Sequence, residues 1–172
     1  MIEKETKKDI TEISGAIVSF IIIILSLFAL YSINLPSNVG GIKSTITYFD
    51  LIDAHFNIGD LSSILQAILI LYSLAFLCAI ISLVLYIVSM FIGNEKVLNV
   101  ATFMTYLLSL VAIVASICVA VSISDVSAIE MGVNTTASLK IGVSAILVPL
   151  LGIAMSLFII ILKYVVPDKN KA

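Results

Sequence analysis

The sequence predicts an all-α protein, an integral membrane bundle of four antiparallel helices with a partly structured first outer loop. Three observations predict it. Four apolar segments, at about 13–34, 61–92, 97–124 and 141–162, contain no Asp, Glu, Lys, Arg or His, and each has the ~20 helical residues that cross a hydrocarbon core. The lysines cluster on one side of those segments. Small residues recur along every segment at helical spacing. With 61% hydrophobic residues in a chain of 172 and a mean hydropathy of +1.23, the apolar share exceeds the roughly 45–50% of a soluble domain. What remains outside the segments is too short for a second domain, so 1–172 reads as one.

Span 1 follows a basic stretch holding Lys4, Lys7 and Lys8. Its apolar run is longer than the ~7–15 residues of a secretory signal, so it reads as a retained helix. Its small residues are Gly15, Ser19, Ser26 and Ala29, with Ile22 between them. Residues 35–60 form the first outer loop. Pro36 and Gly40–Gly41 favour turns, and the alternating β-branched character of 42–48 permits a short strand. From Tyr48 onward, Phe49, Ile52 and Phe56 recur at helical spacing, with Asp50, Asp53 and Asn57 on another side. That pattern predicts a short amphipathic helix lying on the bundle or at the membrane interface, with Phe49, Ile52 and Phe56 as a contact stripe.

Span 2 carries Ala75, Ala79, Ser82, Tyr86 and Ser89 on one face, with Asp60 as a candidate N-cap. Span 3 carries Thr102, Thr105, Ser109, Ala112, Ser116 and Ala120. Both spans exceed the hydrocarbon thickness, and their ends near 61–66 and 121–125 are expected to project outward. The second outer loop, 125–140, contains the sequon Asn134-Thr135-Thr136. Span 4 carries Gly142, Ala145, Pro149, Gly152 and Ser156. Pro149 removes one backbone donor and predicts a static kink.

Lipid tails are as apolar as leucine, so spans associate through close backbone approach and interhelical hydrogen bonds. The four small-residue faces are therefore expected to turn inward as the packing seam. Seven of the nine lysines lie in the two termini and the 93–97 turn, and only Lys43 and Lys140 lie on the other side. By the positive-inside rule both termini face the cytoplasm of a plasma membrane. Cys78 and Cys118 sit at different depths within spans and read as small packing residues.

Chemistry is sparse. No phosphate-binding loop, metal-binding helix motif or lipidation signal is present. Asp50, Asp53, His55 and Asp60 are the one cluster of metal-ligand types, but their spacing fits no metal loop and they read as a solvated acidic face. No catalytic residue, cofactor or metal is expected. The net charge of −2 without a basic tract argues against a nucleic-acid partner. Topologically the arrangement looks like that of claudin-type and other tetraspan proteins, without the Trp and paired outer-loop cysteines of the claudin signature. The expected function is non-enzymatic, acting through protein–protein contacts within the bilayer as a scaffold, accessory, regulatory or immunity-type protein, by a membrane-protein partner or self-association. The alternative is a subunit of a small oligomeric channel or transporter.

Overall fold

The computed structural model describes residues 4–34, 43–58, 63–126 and 138–166. The chain is mainly helical. Helix α1 spans Lys4–Leu25, strand β1 Ala29–Asn34, strand β2 Lys43–Thr47 and helix α2 Tyr48–Ile58. Helix α3 follows at Ser63–Ile92, α4 at Glu95–Val126, strand β3 at Ser138–Ile141 and α5 at Val143–Ile160. A π-helical turn, Ile161–Val165, ends the described chain. Asp60, Pro36, Gly40, Gly41 and Asn134 lie outside the described residues.

Three helices, from Ser63, Glu95 and Val143, are long and apolar enough to cross a membrane. Helices α3 and α4 have 30 and 32 residues, or about 45–48 Å. A tight turn reverses the chain between them. Gly93 takes φ 70°, the left-handed conformation that ends a helix at glycine. The Asn94 side chain then caps α4 by accepting the Lys96 N–H at 2.9 Å. Around the bundle the order is α1, α3, α4, α5, with α5 closing back on α1. Every neighbouring pair is antiparallel. Ser19 meets Ser82, Ser82 meets Thr105, and Ser109 meets Ser156.

The first span differs from the expected continuous helix over 13–34. Helix α1 begins at Lys4 and stops at Leu25. Its last turn tightens, with the Leu27 and Phe28 amides donating to the Ile24 and Leu25 carbonyls at 3.0 Å. The chain then enters β1. Hydropathy cannot separate an apolar helix from an apolar strand, and residues 29–34 carry both signals. β1 is the middle strand of an antiparallel sheet ordered β2-β1-β3. Ser32 pairs with Thr45 on one side and Lys140 on the other. The register shifts between Ala29 and Tyr31, so Leu30 and Tyr31 are both buried, although a regular strand would send them to opposite faces. The sheet makes the fold slightly less than all-helical, and β3 occupies residues read as the end of a loop and the start of span 4.

The core has two parts. One runs through the bundle around Ile22, Ala79, Leu108 and Val148. The other lies where the sheet and α2 meet α3 and α4, around Leu30, Tyr31, Leu51, Ile68 and Val119. Leu65 and Ile123, in the helix ends expected to project, pack against this second part.

Candidate functional site: the buried polar seam and its two ends

The seam residues collect inside the bundle. Ser19, Ser26, Ala75, Ala79, Ser82, Thr105, Ser109, Ala112 and Ala145 are buried, as are Gly15 and Gly152. Ser116 and Ser156 are half-buried. The hydroxyls bond to each other and to backbone. The Ser82 and Thr105 oxygens are 3.0 Å apart, and the Tyr86 hydroxyl reaches Thr105 at 2.9 Å. Ser19 donates to Ser82 at 3.3 Å, which ties α1 to that pair. Ser109 and Ser156 meet at 2.7 Å. Glycine permits the closest approaches. A methyl at Gly15 would stand 2.5 Å from Cε2 and 2.7 Å from Cε1 of Tyr86. One at Gly152 would stand 3.0 Å from the Ser109 hydroxyl.

Three seam assignments change: Ala29, expected on the first helix, instead opens β1 and is half-buried, and the other two are Ala120 and Gly142. On α4 the fully buried line is Ala101, Leu108, Ala115, Val119 and Ser122, while Ala120 is exposed. The expected seam took two successive steps of four beyond Ala112. Eight residues overshoot two turns of 7.2, which rotates that line off the buried face. Gly142 is buried, but it precedes α5 instead of sitting within it. Its N–H donates to the Leu30 carbonyl at 2.7 Å, and a methyl there would lie 2.5 Å from the Leu30 carbonyl carbon. Its close approach is to β1.

Pro149 is buried inside α5 and the helix runs through it. Proline has no N–H, so the carbonyl four residues earlier, on Ala145, loses its helical donor. Ser116 of α4 donates its hydroxyl to that carbonyl at 2.6 Å. A neighbouring helix thus re-satisfies the group that proline abandons.

At the lysine-rich end the structure adds a residue that the apolar pattern missed. Glu12 is 3% exposed. It accepts a hydrogen bond from Ser89 at 2.6 Å, and Lys8 lies 3.9 Å away. Lys8 also donates to the Gly93 carbonyl at 2.7 Å. Glu12 lies just before the apolar run, where hydropathy stops reporting. Stepping the seam three residues back from Gly15 lands on it. Lys4 pairs with Glu95 at 2.5 Å, and that hydrogen bond and charge hold the exposed Glu95 carboxyl below the usual carboxylate range. Lys7 donates to the Val166 carbonyl.

At the sheet end, α2 is capped and anchored. Asp50 accepts the Thr47 N–H at 2.7 Å and the Thr47 hydroxyl at 2.8 Å. The Asp50 N–H in turn donates to the Thr47 hydroxyl at 3.3 Å. This reciprocal cap holds the Asp50 carboxyl below its ordinary value, through the backbone bond first. Tyr48 and Leu51 are buried, and the Tyr48 hydroxyl meets Ser73 at 2.7 Å. The expected stripe therefore divides. Ile52 packs partly against the core, whereas Phe49 and Phe56, one turn-pair apart, are 49% and 82% exposed. Among the described residues no three of His, Cys, Asp and Glu are grouped to hold a metal. Cys78 is buried and Cys118 half-buried, both free thiols.

No protein-family model, curated protein or solved structure matches this chain.

Proposed function

We propose that this chain is a four-span, non-enzymatic membrane protein that works by gripping another protein in the same bilayer. The observation that carries the reading is the pair Phe49 and Phe56, held out from an anchored helix. Large apolar side chains fixed in the open mark a contact surface. The membrane assignment rests on the three long apolar helices and on the outward faces of the bundle, where Ile17, Phe20, Ile70, Phe103, Leu110 and Leu150 are all more than half exposed. The fourth span is a composite, in which α1 continues into β1. As the middle strand, β1 has backbone partners on both sides, which suits it to the boundary of a medium without hydrogen-bonding solvent. The lysine asymmetry supports a cytoplasmic α3–α4 turn and termini, with the sheet and α2 outside.

The channel alternative draws no support from the seam. Its hydroxyls are engaged with one another and with backbone, and the Gly15–Tyr86 and Gly152–Ser109 approaches leave less than a methyl group of width. The test is the double variant Phe49→Ser, Phe56→Ser in the full chain. Thermal stability of the purified protein should be unchanged while its native-membrane complex, sized in mild detergent, falls to the lone chain. A complex of unchanged size refutes the contact reading. Ion flux from liposomes holding the pure protein would favour the channel.

A further inference from the structure

The lysine-rich end carries a cleft of about 410 Å³ between α1, α4 and the π-helical turn, a size within the range of small-ligand sites. Four lysines line it, Lys4, Lys7, Lys8 and Lys163, against two carboxylates, Glu5 and Glu95. The lining therefore has a formal charge of +2, and Glu12 stands behind Lys8. The deeper wall is apolar, formed by Leu98, Ile159 and Leu162. Lys163 lies in the π-helical turn, its ammonium 5.7 Å over the Tyr164 ring, directly after the apolar wall contributed by α5 and Leu162.

We propose that this cleft binds the phosphate headgroup of an anionic phospholipid, with the start of an acyl chain against Leu98, Ile159 and Leu162. Basic pockets between spans on the cytoplasmic side suit such headgroups, because lysines there meet both the phosphate and the negative leaflet. A zwitterionic lipid brings no net charge to a lining of +2, so the site discriminates by charge. A free phosphate shares the headgroup chemistry but leaves the apolar wall unused, and that wall selects the lipid. The inference rests on the membrane reading above.

The test uses the full chain. Alkaline carbonate extraction of membranes comes first, and release of the protein there would defeat the membrane reading itself. Protein retained in membranes is purified in mild detergent and titrated with phosphatidylglycerol and with phosphatidylcholine, bound lipid being counted by native mass spectrometry. A single phosphatidylglycerol should be retained in preference to phosphatidylcholine. Lys7→Gln with Lys163→Gln should weaken it about 30-fold, since each lysine near an anionic surface contributes about a fivefold factor. Lys163→Gln alone, at an exposed position, should weaken it about fivefold and serves if the double variant fails to fold. Lys96→Gln removes the same charge from the same end outside the cleft and should leave binding within about twofold of the parent. Equal retention of both lipids, or equal losses for Lys96 and Lys163, would overturn the site. Displacement by millimolar inorganic phosphate would assign it to a soluble anion and overturn the lipid.

Discussion

Ser116→Ala removes the donor that Pro149 makes necessary. The Ser116 hydroxyl donates to the Ala145 carbonyl at 2.6 Å, and Ala145 is 2% exposed. A buried carbonyl stripped of its partner costs about 1–3 kcal/mol. Hydrogen bonds between packed apolar helices run lower than that upper figure, so about 1–2 kcal/mol is the expected loss. A melting point lower by roughly 2–4 °C per kcal/mol should result for a domain of this length. The decisive comparison is a double-mutant cycle. Pro149→Ala restores the amide N–H at that position, which can donate to Ala145 from within α5. In that background Ser116→Ala should cost no more than about 0.5 kcal/mol, as at sites where no partner is lost. The coupling is then about 0.5–2 kcal/mol, centred near 1 kcal/mol, against the ~0.3–0.5 kcal/mol scatter of independent sites. Circular dichroism melts of the four proteins in one detergent measure it. Additive losses would refute the idea that Ser116 stands in for the missing amide.

Gly15→Ala should destabilise by about 1–3 kcal/mol despite the better helix propensity of alanine, because the methyl collides with the Tyr86 ring, which Thr105 holds in place. Denaturant titration in mixed micelles checks it. Tyr31→Phe should cost about 1 kcal/mol by breaking the 2.6 Å bond to Ser122, as read from thermal melts beside the parent. Asp50 is depressed below its ordinary 3.8 in the folded chain, so the cap contributes fully above that value and is lost as the pH falls through the folded value. The protection factors of the α2 amides, taken relative to intrinsic exchange at each pH, should accordingly fall in acid for the parent and stay level in Asp50→Asn.

Most of the helical plan is visible in the residues because outward-facing and inward-facing positions of the bundle differ in size. The seams on α1 and α3 can be read directly, since Ser19, Ala79 and Ser82 are small where neighbours are Ile and Leu. Strand β2 and helix α2 show in the change of period from two to near four between Thr45 and Phe56. Strand β1 is hidden because Ala29–Asn34 continues an apolar run without a break, and only pairing with distant β2 and β3 decides its conformation. Glu12 is hidden because burial there comes from Ser89 across the bundle. The division of the α2 stripe depends on which way that helix is rolled against Ser73 and Phe76, a tertiary fact with no local signal.

The order in which the sheet is assembled has a bearing on synthesis. Strand β2 is the next described element after β1, so the two can pair as soon as Thr47 emerges. The other edge of β1 waits for Ser138–Ile141, whose pairing joins Asn34 to Ser138. At the ~5–20 residues per second of translation, the ribosome needs several seconds to more than ten to deliver that strand. Throughout that interval one row of β1 amides and carbonyls stands open, a template for any extended segment nearby. A nascent chain halted before Ser138 would keep that edge permanently, and such fragments should be the forms that misassemble or are cleared by quality control.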